Sequence, residues 1–473
     1  MTRKHLLENA YKPLQSNSLT VASIAEKPGS KENPSKSRLS KSSGEIALRR
    51  GLNLAQTTFL GVGTAICGTM FAIMGRAIGA AGPSIVITFL IGGLFALFDG
   101  FSYAELGSAV PSSAGGAVSF VKRAFGESIP TFLAGWFDWI GSITDCALGA
   151  IVFAFSINYF LGWLEPYALA IIILIIFALI NFKGVKTMGI AELILTAILV
   201  SSLFLYMAGS SLSFKVERFE PLFPRGLLPT ILMVGYIFPT YAGYETITQL
   251  SEEVKTAGKT IPRALFLSLI LITVIFTGTA IATIGGAPSE TYLESNTPLQ
   301  DAANYFMGPM GVLLVTLGSM IATLSTINGS MAGGTRIAYA LSRSNLLPSL
   351  FKRVHPKYRT PYTSLALTTF LAIVFVLTRS VDFIVYVIAL GYNVTAITVA
   401  FSLIRLRRTE PHLYRPFKVP LYPYPTILAI LTSLLMILTL SIESLILGLF
   451  FGFIGVGLLM LARKMQKTKA HEG

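Results

Sequence analysis

Residues Leu60–Gly75 read LGVGTAICGTMFAIMG. They lie in an apolar run from Leu52 to Gly82 whose strongly polar residues are Asn53, Gln56 and Arg76. A run of that length can cross a bilayer, which takes about 20 residues of helix. Its centre, however, carries Gly61, Gly63, Gly68 and Gly75, with Thr64 and Thr69 between them. Glycine is among the weakest helix formers. Two readings compete: small residues that let neighbouring helices approach, or a helix interrupted at mid-membrane.

The remainder of the chain gives the context. Of 473 residues, 53% are hydrophobic and 13% are charged, against about 25% charged in soluble proteins. The fold class expected is an all-α integral membrane protein. Cys67 and Cys146 both lie in apolar segments and read as small buried hydrophobes. The four histidines, His5, His355, His412 and His471, fall in polar segments with no metal-ligand spacing. The spans hold no nucleophile–base pair, metal set or cofactor loop, so no enzyme is expected, and no cofactor beyond a coupling proton or sodium ion.

Residues 1–48 are polar and rich in Ser, Lys and Asn, and read as a disordered cytoplasmic tail. The transporter-like region is 49–470. Its hydropathy divides into twelve spans, near 53–80, 84–110, 130–161, 164–182, 188–211, 227–250, 263–286, 309–341, 361–378, 382–404, 425–441 and 444–462. With the N-terminus inside, 32 of the 37 Lys and Arg residues fall on cytoplasmic segments. The other five are Arg76, Lys215, Arg218, Arg225 and Arg379. This is a strong positive-inside pattern, with both termini cytoplasmic. It accounts for the net charge of +14 through topology and anionic lipid, with no need for nucleic acid.

Span 6 has the same oddity as span 1: LMVGYIFPTYAGYETITQL (232–250) carries Pro239, Thr240 and Gly243 at its centre. Interrupted segments at corresponding positions in two halves point to an inverted-repeat transporter with a site at the midplane. The repeats are then 49–211 and 227–405, with 425–462 as two added spans. A helix broken at that depth frees backbone N–H and C=O groups, tolerated only where they line a cavity or are covered by protein. Half-helix N-termini attract anions and C-terminal ends attract cations. An α-amino acid carries both charges. Gly68 allows its close approach, and Thr69 offers a hydroxyl.

Three acids fall deep in spans: Asp145 and Asp138 in WFDWIGSITDCALG, and Glu245 after the span 6 break. Intramembrane acids usually face a cavity or a partner and are functional candidates, here for proton carriage. Asp138 is read more readily as structural, as are Asp99 and Glu105. In span 8, Ala322, Ser325 and Thr326 stand at i, i+3 and i+4. That face suits either a hard-cation site or hydrogen bonds between helices. Asn328-Gly-Ser and Asn393-Val-Thr match the glycosylation pattern but lie within spans.

Several stretches together resemble the amino acid–polyamine–organocation superfamily of permeases, best the prokaryotic and archaeal amino-acid transporters. They are ICGTMFAIMG (66–75), AAGPSIVITFLIGGLFALFDGFSYAELGSAVPSSAGG (80–116), TYAGY and SEEVKTAGKTIPRAL (240–265), GGTRIAYALSRSNLLP (333–348) and LIRLRRTEPHLYRPFKVPLYP (403–423). The resemblance implies a leucine-transporter-type 5+5 inverted repeat plus two C-terminal helices. It implies a substrate site over Ala65, Ile66, Cys67, Gly68 and Thr69, with the carboxylate on the N–H groups of Cys67, Gly68 and Thr69. It places the ammonium at carbonyls around Ala65, Pro239 and Ala242, beside Gly243. Ser142 and Cys146 would line the side-chain pocket, Tyr241 and Tyr244 would line or gate it, and Glu245 would couple gating or a proton. Cys67 stands where relatives usually have glycine, and Pro239 where a bulky side chain is commoner. The lysine that several relatives carry in span 5 is absent from GIAELILTAILVSSLFLYMAG (189–209).

The function expected is secondary transport of an amino acid across the cell membrane, with proton symport through Asp145 or Glu245. Sodium at Ser325 and Thr326, obligate exchange, and a cationic amino acid or polyamine paired with Asp145 are the alternatives. A membrane sensor or subunit that does not transport is the rival class. The partners expected are the amino acid and the lipid bilayer; monomer and homo-oligomer both stay open.

Overall fold

In the computed structural model the structure describes residues 50–460 apart from 67, 111–114, 162–164, 296, 439–445, 447, 449, 454 and 458. Those residues form fifteen α-helices: α1 Leu54–Ala65, α2 Gly68–Ala81, α3 Ile85–Ala109, α4 Ala117–Phe125, α5 Ile129–Leu161, α6 Pro166–Phe182, α7 Val185–Ser210, α8 Leu227–Ile237, α9 Thr246–Gln249, α10 Ala257–Gly286, α11 Pro298–Met307, α12 Pro309–Arg343, α13 Tyr362–Leu377, α14 Val381–Thr409 and α15 Tyr424–Leu438. No strand forms among the described residues; an isolated bridge joins Leu52 to Val254.

Among the described residues, seven segments are long and apolar enough to cross a membrane, and α6, α13 and α15 are shorter apolar helices. The first and sixth expected spans each come in two pieces, α1 with α2 and α8 with α9. The segment 444–462 lies partly outside the described residues, and the tail and Cys67 lie outside them. Two helices, α4 and α11, arise where the span boundaries leave loops. Both are amphipathic: Val118, Phe120 and Val121 of α4 and Leu299, Ala302 and Phe306 of α11 face the core. Their polar residues kept them out of a search for apolar runs.

The outer surface is greasy. Leu179 is 59% exposed, Ile270 59%, Phe370 61% and Leu431 56%. Such apolar faces, too extensive for a soluble chain, meet lipid in a multi-pass membrane protein. Inside, the apolar residues form two main clusters. One joins α1, α2, α3, α8 and α10; the other joins α5, α6, α12 and α13.

Arg123 in the last turn of α4 pairs with Glu410 after α14 at 2.7 Å, and Arg343 pairs with Glu252 at 2.9 Å. All four residues lie in segments assigned to one side. Arg379 and Glu165, 3.4 Å apart, belong to two segments assigned to the other.

Candidate functional site

Helix α1 opens on a capping box, in which Asn53 accepts from the Gln56 N–H and Gln56 accepts from the Asn53 N–H. It ends at Ala65, and Ile66 leaves helical geometry at φ −76°, ψ 76°. The Ile66 N–H still reaches the Val62 carbonyl at 2.9 Å. A new helix then starts at Gly68. The opposing break is built from a 3₁₀ turn, Phe238–Tyr241, an extended Ala242 (φ −62°, ψ 150°) and Gly243 at φ +116°. Pro239 supplies no N–H, so the regular ladder cannot continue through it.

The two breaks touch. A Cβ on Gly243 would stand 2.8 Å from the Thr64 carbonyl carbon and oxygen and 2.9 Å from the Ala65 nitrogen. Only glycine tolerates both that φ and that approach. The Gly243 N–H donates to Glu245 Oε2 at 2.8 Å, so Glu245 caps the broken backbone from within the same turn.

Beside the breaks lies a narrow polar cleft lined by Asp138, Gly141, Ser142, Asp145, Ala242, Glu245, Thr246, Ser330, Ile388 and Tyr392. It gathers all three intramembrane acids singled out from the sequence. Glu245 lies within electrostatic reach of Asp138 and Asp145. Asp138 accepts from Gln249 Nε2 at 2.9 Å, and Asp145 from the Ser330 hydroxyl at 3.5 Å. No Lys or Arg lines the cleft or pairs with these carboxylates among the described residues.

Of the other expected site residues, Ser142 and Ala242 line the cleft and Ala65 meets Gly243. Gly68 opens α2, and Cys67 is outside the described residues, as is the Thr69 side chain. Ile66 is fully buried between the two helices. Cys146 turns to the Ile327 carbonyl at 3.7 Å. The Tyr241 hydroxyl donates to the Phe89 carbonyl at 2.6 Å, toward α3. Tyr244 meets Tyr392 hydroxyl to hydroxyl at 3.0 Å, and Tyr392 donates to Asp99 at 3.3 Å. Tyr244 is therefore a second layer behind Tyr392, which itself faces the cleft.

Ser325 and Thr326 lie at a separate junction. Thr326 is 3.5 Å from the Thr64 carbonyl, while the Ser325 hydroxyl donates to Glu192 of α7. Sequence reasoning misses Glu192, Gln249, Ser330 and Tyr392. Glu192 did carry a signal, an acid within the apolar span 5, two turns from the start of α7. The other three are unremarkable as residues and are found only through what folds against them.

Two broken helices that touch beside a polar cleft fit a membrane transporter, and sequence comparison gives the family. The amino acid permease family matches residues 52–464, and the chain belongs to it. An uncharacterized protein of Methanocaldococcus jannaschii is 31% identical over 312 residues, covering 64% of this chain and 71% of that protein. The branched-chain amino acid permease BcaP of Bacillus subtilis is 26% identical over 454 residues, covering 90% and 96%. A methylthioribose transporter of the same organism is 27% identical over 415 residues, covering 83% and 88%.

Proposed function

We propose that this chain is a twelve-span secondary transporter of the 5+5 inverted-repeat type that carries amino acids across the cell membrane by alternating access. The observation that carries the reading is the contact of Gly243 with Thr64 and Ala65, which brings two helix breaks to one point. There, the N-terminal end of α2 suits a carboxylate, and carbonyls around Ala65, Pro239 and Ala242 suit an ammonium. The core has one cluster centred on α1, α2, α3, α8 and α10 and another on α5, α6 and α13, with α12 and α14 contributing to both, an arrangement that suits a rocking of one body against the other. The relative BcaP is a branched-chain amino acid permease. Coupling to a proton is part of the reading, since intramembrane acids are natural carriers.

A second reading concerns the substrate. Asp138, Asp145 and Glu245 share one cleft without a cation. That favours a substrate with an additional positive charge, a cationic amino acid or a polyamine, which would neutralise them.

The test is counterflow in proteoliposomes loaded with unlabelled amino acids, screened against labelled amino acids and polyamines. Exchange of at least one amino acid supports transport. Binding with no exchange of any would replace the reading with a membrane sensor or subunit.

A further inference from the structure

We infer that Glu192 is a proton-carrying site separate from the three-carboxylate cleft, and that the broken first span senses whether it is occupied. Glu192 lies in the interior of α7 and is fully buried. Its Oε1 accepts from Thr196 at 3.0 Å and from the Ser325 hydroxyl, and its Oε2 accepts from Asn328 Nδ2 at 2.7 Å. The Asn328 amide is held in place because its Oδ1 accepts from Asn181 Nδ2 at 3.2 Å. The donor on Oε2 is thus fixed, while both groups on Oε1 are hydroxyls, free to donate or accept.

Ser325 and Thr196 also meet each other at 3.1 Å. With the carboxylate ionised, both hydroxyls donate to Oε1. With a proton on Oε1, that O–H donates to one hydroxyl, and the hydroxyl turns to its neighbour. The pocket therefore accommodates both forms by rotating hydroxyls, without opening.

Among the described residues, no cation pairs with the ionised form. Helix α1 contains no titratable residue. Arg336 of α12 is paired with Glu253. Lys183 caps α6 at its C-terminal end, Lys259 and Arg263 lie in the first two turns of α10, Asp301 lies in the first turn of α11, and Tyr206 of α7 hydrogen-bonds Thr283. Among the described residues, only Ser325, Asn328 and Thr196 interact with the Glu192 carboxylate. An ionisable group so placed in a membrane helix is functional by default.

The link to the substrate site is steric. A Cβ on Gly63 would collide with Ser325 Oγ, Thr196 Oγ1 and Glu192 Oε1, so the last turn of α1 rests directly on this cluster. Two residues further on, Ala65 meets Gly243. A change in the cluster is thereby transmitted to the break. The proton arrives from solution on one side, forms one O–H bond to a Glu192 oxygen, and leaves to the other side as that bond breaks. This coupling role rests on the transport reading above.

The experiment compares wild type, E192Q and E192D in proteoliposomes. Counterflow without a gradient tests transport itself; accumulation under an imposed proton gradient, and separately a sodium gradient, tests the inference. The expected result is wild-type accumulation driven by protons, with E192Q retaining counterflow but losing accumulation by about tenfold or more. E192D should retain part of the proton response. Equal proton-driven accumulation in E192Q overturns the inference, as does a wild type driven by sodium alone or by neither gradient. A second measurement needs no transport: infrared titration of purified wild type and E192D. A protonated-carboxyl band that rises as pH falls and moves in E192D supports the site; a band assignable to position 192 at no pH overturns it.

Discussion

Arg336 of α12 clasps Glu253 with Nε to Oε1 at 2.6 Å and Nη2 to Oε2 at 3.2 Å, the side chains 1% and 2% exposed. The Glu253 carbonyl in turn accepts from the Gly51 and Leu52 N–H groups, at 2.9 and 3.1 Å. One residue thus ties the chain entering α1 to the segment after α9 and to α12. R336M would leave a carboxylate buried and unpaired, at a cost of about 3–5 kcal/mol. The expected outcome is a lower melting temperature in detergent, with most of the loss recovered in R336M/E253M, where no charge is stranded. A single variant that melts with wild type would mean that water reaches Glu253.

Gly243 gives the second prediction. An alanine there must hold φ near +116° and force its Cβ to 2.8 Å from the Thr64 carbonyl. Separating the breaks or straining the turn costs about 2 kcal/mol or more, roughly thirtyfold in a binding constant. G243A is expected to insert normally, because the change is confined to an already irregular segment, and to lose substrate counterflow. Unchanged half-saturation in counterflow would remove the contact between breaks from the site.

The legibility of this molecule in its sequence follows from the physics of each signal. Both helix breaks were legible because a membrane segment with Gly63, Gly68, Pro239 and Gly243 at its centre conflicts with the demand for an unbroken ladder. The long spans were legible because bilayer thickness imposes a length. The amphipathic α4 and α11 escaped, since their apolar faces are buried by tertiary contacts and their compositions are mixed. At the site, Asp138, Asp145 and Glu245 are visible as acids in apolar surroundings, yet their meeting in one cleft joins α5 to the turn before α9 and has no local signature. Ser325 reads from the sequence as part of a hydroxyl row suited to a cation or to hydrogen bonds between helices, but its partner Glu192 lies 133 residues away in sequence. Tyr241, expected at the pocket, instead bonds the Phe89 carbonyl, a preference for a buried polar partner that no periodicity encodes.

Asp145 separates the two substrate readings. If the cleft takes a cationic side chain, D145N removes one of the charges that stabilise it. Lysine counterflow should then fall about tenfold relative to leucine counterflow, a coupling of about 1.4 kcal/mol. If Asp145 serves neutral substrates, the ratio stays put. The measurement is paired competition of lysine and leucine against the same labelled amino acid, in wild type and D145N.

Glu105 offers a last test, at the end of α3. It is fully buried and accepts Arg407 Nε at 2.8 Å, Arg407 Nη2 at 2.5 Å and the Val419 N–H at 2.7 Å, with Arg415 Nε 3.1 Å away. This single carboxylate joins α3, the end of α14 and the segment leading to α15. Arg415 is itself 4% exposed and donates to the Leu406 and Glu410 carbonyls at 3.0 and 3.1 Å, whereas Arg407 is 22% exposed. E105Q puts an N–H donor where arginine and backbone donors converge and strands Arg415 without its anion, a loss of about 3–5 kcal/mol. R407M keeps Arg415 and Val419 on the carboxylate and should cost less. R415M removes a buried cation together with its carbonyl contacts and falls between the two. Melting temperatures in detergent should therefore order as wild type, R407M, R415M and E105Q from highest to lowest. If R407M proves worse than E105Q, the pairing with Arg407 holds this end of the bundle and Glu105 is replaceable.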